Sequence, residues 1–290
     1  MKRVATILAL VCCAGLVVIA QKPQPRTIFV EAVDPAGAPA PDLKPADLEL
    51  TEGGAKRQIT KVTLGNAPMR LAFLVDTGAA ANDMTAVSRT ALNAFLTAYE
   101  GTDEMALVAI GRQPRIILKP TNDKAKIKKA FDGIFPDGGS TQLVDGVRDT
   151  YTQLMKGPEV SWPVFVIVAT ASNDGTEMQP QELNRFMDEM RMKGVTVHAI
   201  IVQLNNMGSA MEYARMLTKG TGGSFETITA PSGLPDKLKA LAPRLHADHQ
   251  KMASRYVLEF MGDPKMTGQI EINALRSGIK IGRMSNVRPF

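Results

Sequence analysis

A chain of 290 residues, 44% of them hydrophobic, is long enough to bury one large core or two smaller ones and too apolar to be a disordered tail. A formal charge of +5, from 34 Lys and Arg against 29 Asp and Glu, excludes a strongly basic nucleic-acid surface. With 2 cysteines, both near the start, neither a disulfide framework nor a Cys-ligated metal can hold the fold together.

The chain opens Met1-Lys2-Arg3, runs through an apolar stretch over 5–19 and reaches Ala20 before Gln21. A basic start, a short apolar run and a small residue at the cut are the marks of a secretory signal, so residues 1–20 are expected to be removed. Cys12 and Cys13 would leave with that segment, together with two positive charges. The stretch is shorter than a bilayer span and no second one is long enough, so no membrane span is expected after cleavage. The product is then expected in the periplasm or outside the cell.

Residues 21–66 read as β-structure. Apolar and polar residues alternate over 27–33, 48–50 and 58–62, and Gly53-Gly54 between the last two runs signals a hairpin. From 67 to 245 the pattern becomes strand, helix, strand. A buried run over 71–75 ends in Asp76-Thr77-Gly78-Ala79-Ala80, and Met84, Val87, Ala91, Phe95 and Tyr99 follow at helical spacing. A strand over 106–110 turns at Arg112-Gln113-Pro114 into an antiparallel neighbour over 115–118. The basic run Lys124-Ala-Lys126-Ile-Lys128-Lys129 is read as the wet face of a helix over 123–134, because no aromatics interleave to stack bases. The loop Phe135-Pro-Asp-Gly-Gly-Ser-Thr141 leads to a helix with Leu143, Val147, Tyr151 and Leu154 inward. A uniformly apolar run over 164–169 is what a parallel strand covered on both faces looks like, and it ends in Thr170-Ala171-Ser172-Asn173-Asp174-Gly175. A helix over 180–193, a strand over 195–202, a helix over 210–219, a strand over 225–228 and a last helix broken at Pro243 complete a doubly wound, mostly parallel sheet between two helix layers. Residues 246–290 return to β, over 255–260, 269–273 and 279–283. The two terminal segments are each too small for a core and are expected to pair into a small β-sandwich.

Three loops should meet at the carboxyl edge of that sheet, carrying Asp76, Gly138-Gly139-Ser140-Thr141 and Thr170-Ala171-Ser172-Asn173-Asp174. Their order and spacing resemble the von Willebrand factor A domain and its metal-ion-dependent adhesion site, in which Asp-x-Ser-x-Ser, a threonine and an aspartate hold a Mg²⁺ that bridges to a partner's carboxylate. The lead-in Val30-Glu-Ala-Val33-Asp34, Leu43 to Leu50 and Glu52-Gly53-Gly54, with the tail from Tyr256 to Ile281, is similar to a bacterial exported subfamily, the VWFA-related domain proteins. On that resemblance Asp76 matches the first ligand and Thr141 the loop threonine. Gly78 and Ala80 stand where both serines belong, and Ala171 where the aspartate belongs. Mg²⁺ needs near-octahedral oxygens, so such a site would be at best of roughly millimolar affinity. No cofactor is therefore expected, with Mg²⁺ the one ion the family's site would take if Asn173 and Asp174 compensated. The expected function is an exported, non-enzymatic protein-binding module with a degenerate metal site, its binding face formed by Asp76, Thr77, Thr141, Asn173 and Asp174. Its partner would be a protein, with no nucleic acid.

Two alternatives belong to other classes. One is a metal-dependent adhesion protein using the same loops. The other is a retropepsin-like aspartic protease, since Phe73-Leu-Val-Asp76-Thr77-Gly78-Ala79 also resembles that active-site signature and Val108-Ala-Ile-Gly111-Arg112 its supporting motif. Such an enzyme needs a second aspartate to share a proton, and no second Asp-Thr/Ser-Gly occurs. Among histidines, His198 reads as a core residue, and His246 and His249 as a solvated helix end. Met187 and Met190 read as core filling.

Overall fold

The computed structural model describes residues 22–65, 68–156, 162–203, 208–265 and 268–285. The expected leader over 1–20, with both cysteines, lies outside the described residues. Strands β1 (Gln24–Val33), β2 (Leu48–Glu52), β3 (Ala55–Arg57) and β4 (Ile59–Leu64) come first. The α/β part follows as β5 (Met69–Val75), α1 (Thr85–Ala98), β6 (Glu104–Ile110), β7 (Pro114–Thr121), α2 (Lys124–Asp132), α3 (Leu143–Thr150) and β8 (Trp162–Thr170). It continues through α4 (Pro180–Met192), β9 (Thr196–Val202), α5 (Ser209–Thr221), β10 (Phe225–Ile228) and α6 (Leu234–Ala253). Strands β11 (Tyr256–Gly262), β12 (Ile270–Ala274) and β13 (Lys280–Ser285) close the described chain.

The central sheet has the order β10-β9-β8-β5-β6-β7, and only the edge strand β7 runs antiparallel. Side chains alternate across a strand, so β5 feeds two cores. Leu71, Phe73 and Val75 pack with α1, α2 and α6 through Leu92, Phe95, Phe131 and Leu238. Ala72 and Leu74 face the other way, toward α3, α4 and α5, where Val147, Phe186, Met187 and Met190 lie buried. The chain leaves β5 for β6 on one side and returns to β8 on the other. The carboxyl ends of β5 and β8 thus flank the switch in strand order, the place where open α/β sheets leave a crevice.

Two further sheets, β13-β1-β11-β4 and β12-β2-β3, are built from both terminal segments and share a core of Ile28, Val30, Leu48, Leu50, Leu258, Phe260 and Ile272. Period-two alternation makes β1 a hinge between cores. Ile28 and Val30 enter the sandwich, whereas Phe29 joins the α/β core beside Trp162 and Met252.

Two local expectations are corrected. Gly53 and Gly54, both at positive φ, do form a hairpin, but it joins β2 to β3. The run after it crosses to the other sheet, where β4 pairs with β11 and the Gln58 carbonyl accepts Met261 N–H at 3.0 Å. Burial of Ile59 and Val62 in the shared core outweighs the local hairpin register. The last helix is also not broken at Pro243. That residue sits exposed inside α6, while Leu238, Leu241, Ala242 and Leu245 on the opposite face stay buried. Packing of that face against the core of α1 sustains the helix across the lost hydrogen bond. Among the described residues, no helix is long and apolar enough to cross a membrane.

Candidate functional site

Asp76 follows the last buried residue of β5, and its own N–H donates to Val168 O of β8 at 2.8 Å. The residue is 3% exposed. Its carboxylate draws donors from three loops. Gly78 N–H reaches Oδ1 at 2.9 Å, and Oδ2 accepts the Thr141 hydroxyl at 2.9 Å, the Thr170 hydroxyl at 2.8 Å and Thr170 N–H at 3.1 Å. Hydrogen bonds to an ionised acceptor are the strong ones, and a buried carboxylate needs them. Asp76 therefore works as a staple across the crevice.

The loop after β5 is locked to the loop before α3. Thr77 Oγ1 donates to Asp137 Oδ1 at 2.8 Å, Asp137 N–H donates to Thr77 O at 3.0 Å, and Ala79 N–H donates to Gly139 O at 2.9 Å. This closure leaves little room at Gly78. A Cβ there would lie 3.1 Å from Asp76 Oδ1, 3.1 Å from Gly139 O and 3.2 Å from Thr141 N. Ala80 lies in a 3-10 turn over Ala79–Met84 and is exposed, and as glycine and alanine neither position offers a side-chain oxygen to the crevice.

The third loop is equally committed. Ala171 is buried, with N–H to Val202 O and its carbonyl accepting Gly208 N–H, both at 2.9 Å. The Ser172 and Thr141 hydroxyls lie 3.0 Å apart. Asn173 is exposed. Asp174 turns away from Asp76: its carboxylate accepts Leu143 N–H at 2.6 Å and Thr176 N–H at 3.0 Å, holding the first turn of α3. Burial raises the Asp174 carboxyl above its ordinary value, with neighbouring Asp145 adding to the rise and the bonds from Thr176 and Leu143 opposing it. Among the described residues, no three His, Cys, Asp or Glu side chains gather closely enough to hold an ion.

The structure brings Asp76 and Thr141 into contact, with Thr77 next to them bonded to Asp137. All three are buried, Asn173 lies on the surface, and Asp174 is engaged at α3. Two participants escaped the sequence reading. Thr170 gives Asp76 two of its donors, yet in sequence it is one more β-branched residue at a strand end. Asp137 ties down Thr77 and pairs with Arg115 at 3.2 Å, yet Pro136-Asp137-Gly138-Gly139 reads as ordinary turn chemistry. Gly111 packs against this pair, since any Cβ there would collide with Asp137 and Thr77.

The histidines divide. His198 is buried in β9 with Nδ1 accepting Ser224 N–H at 3.1 Å, as a core residue should. His246 and His249 are not a solvated helix end. His249 Nδ1 lies 3.2 Å from Asp103 Oδ1 against the Trp162 ring, Asp103 also accepts the Tyr99 hydroxyl and Met69 N–H, and the His246 ring meets Tyr99 edge-on. The final turns of α6 pack on the amino end of the sheet, a proximity that no local pattern announces.

The family model that matches is the von Willebrand factor type A domain, over residues 71–176, from β5 through the loop after β8. A von Willebrand factor type A structure from Catenulispora acidiphila is similar at TM-score 0.52 and 11% identity, covering 92% of this chain and 74% of that one. The protein BatB from Bacteroides thetaiotaomicron is similar at TM-score 0.51 and 11% identity, covering 64% of this chain and 98% of that one. At such identities the likeness is one of fold. No curated protein matches the sequence.

Proposed function

We propose that this chain, whose residues 71–176 match the family model of the von Willebrand factor type A domain, is an exported, non-enzymatic protein-binding module whose carboxyl-edge rim engages its partner without a metal ion. The observation that carries this reading is the Asp76 carboxylate, both of whose oxygens are taken by donors from Gly78, Thr141 and Thr170. Mg²⁺ demands near-octahedral oxygens. Gly78, Ala80 and Ala171 bring no side-chain oxygen, there is scant space at Gly78, and Asp174 is engaged at α3. The residues present do not fit the ion. Asp76, Thr77 and Thr141 then frame the rim from beneath, and exposed Ala80, Ser140 and Asn173 lie where a partner would touch. Export rests on the basic start and short apolar run of residues 1–20.

Thermal unfolding of the mature chain in EDTA, Mg²⁺ and Mn²⁺ tests the metal-free reading, because a ligand of the folded state raises the midpoint once it exceeds its Kd. The expected result is one midpoint in all three. A saturable rise that disappears in Asp76→Ala would instead establish metal-bridged adhesion. Photo-crosslinking from position 173 tests the rim: the same protein should be captured in EDTA and in Mg²⁺, and capture of nothing would remove the rim as a contact face.

A further inference from the structure

The turn between β6 and β7 and the loop from Phe135 to Gln142 form a ridge beside the three-loop crevice, and its side chains are unusual for a solvated edge. Phe135 is 53% exposed. It is held in place from one side by Arg115, whose guanidinium lies 5.0 Å from the ring centroid. Arg115 is fixed in turn by Asp137, and Asp137 by Thr77, so the ring stands on a chain of contacts running back to the β5 loop. Arg112 sits on the same ridge, exposed, and among the described residues no hydrogen bond or ion pair engages its guanidinium. Its backbone packs on Gly139, where an added Cβ would come within 2.9 Å of Arg112 Cα and Cβ. Asp137 is the one acid within 111–115 and 135–140, and it pairs with Arg115, so Arg112 has no acidic partner on either segment.

An exposed aromatic held by one arginine, on a ridge that also carries an unpaired arginine at Gly139, has the composition that carries binding energy in protein interfaces. We propose that this ridge captures a protein segment bearing a carboxylate next to a large apolar side chain, with Arg112 pairing the carboxylate and Phe135 covering the apolar group. Arg suits the first task because its planar fork meets a carboxylate with two parallel bonds. Phe135 suits the second because its ring is already ordered and gives up little freedom on contact. The proposal rests on the rim being the protein-contact face and adds the chemistry of the partner.

Selection of phage-displayed random peptides on the mature chain tests it. Wild type should enrich peptides with Asp or Glu adjacent to Leu, Phe or Trp. Arg112→Glu should weaken a selected peptide by roughly tenfold or more, the scale of a hot-spot loss, and should shift new selections toward Lys and Arg. Phe135→Ser should weaken binding while the acidic preference remains. Both side chains are exposed, so the variants should unfold at the wild-type midpoint, which separates lost binding from lost folding. Selections with no acidic preference, or an acidic preference that survives Arg112→Glu, would overturn the proposal. If crosslinking from position 173 persists in that case, the rim reading stands and only the ridge is refuted. If crosslinking fails while peptide binding follows Arg112, the contact face moves from the crevice rim to the ridge.

Discussion

Asp76 is one side chain that closes three loops, so its removal strands donors in each of them. Asp76→Ala should cost on the order of 3 kcal/mol, since Gly78 N–H, Thr170 N–H and two hydroxyls lose a buried acceptor; a lower urea midpoint at unchanged slope would register it. Gly78→Ser should destabilise by about 1 kcal/mol and fail to create a Mg²⁺-dependent midpoint, because its Cβ meets Asp76 and Gly139 before its hydroxyl can reach an ion. His198 sets a pH dependence. Burial, assisted by the positive charge of Arg244, pushes its imidazole down to about 3. The unfolded chain binds that proton below about 6.5 and the folded one does not, so stability is full above that pH and is lost as pH falls toward the folded value. Chemical unfolding at neutral pH and near pH 5 should show a drop that is smaller in His198→Gln. At this scale Asp76 was legible as a carboxylate at the end of an apolar strand, and Thr141 through the resemblance of its loop to the von Willebrand factor A domain. Thr170 and Asp137 were not, because their importance comes from what lies across the crevice.

Among elements, α6 shows how tertiary contact overrides a local rule. Pro243 removes one backbone donor and crowds the preceding turn, which argues for a break. The helix nevertheless runs through Leu234–Ala253 with its apolar face buried. Because Pro243 is exposed, Pro243→Ala should restore a hydrogen bond and lose no packing, raising stability by roughly 1–3 kcal/mol, readable as a higher thermal midpoint. The end of the same helix carries His249 to Asp103. Burial raises the Asp103 carboxyl, but hydrogen bonds with His249, Tyr99 and Met69 N–H and the charge of His249 outweigh that and hold it below its ordinary value. The parallel strands were readable as elements because burial on both faces makes them uniformly apolar. The crossing of β4 to the second sheet was not, since a hairpin and a sheet change begin with the same glycines.

For the whole molecule, order in the terminal sheet decides a prediction. β11 is an inner strand, lying between β1 and β4, so the two ends of the chain cannot be separated without splitting that sheet. Deleting residues 255–290 should expose Ile28, Val30, Leu48 and Leu50 together with an unpaired strand edge, and give an aggregating product by light scattering. A soluble truncation that unfolds cooperatively would show that residues 22–65 need no partner. Phe29 and Val257 join the α/β core, so the same deletion should also lower the midpoint of what remains. Residue 245, where the repeating α/β pattern ends in sequence, lies within α6, and the helix delivers the chain directly into β11.

The amino-acid sequence alone determined the class of fold, the chain order of its elements and the strand end that carries Asp76, because these follow from hydrophobic period and turn chemistry over neighbouring residues. It also determined that Gly78, Ala80 and Ala171 bring no side-chain oxygen to the three loops. Only the tertiary structure decided where the remaining oxygens point. Asp76 is spent on Thr141 and Thr170, Asp174 on α3, and Arg112 and Phe135 are left facing solvent, as contacts between segments far apart in sequence dictate.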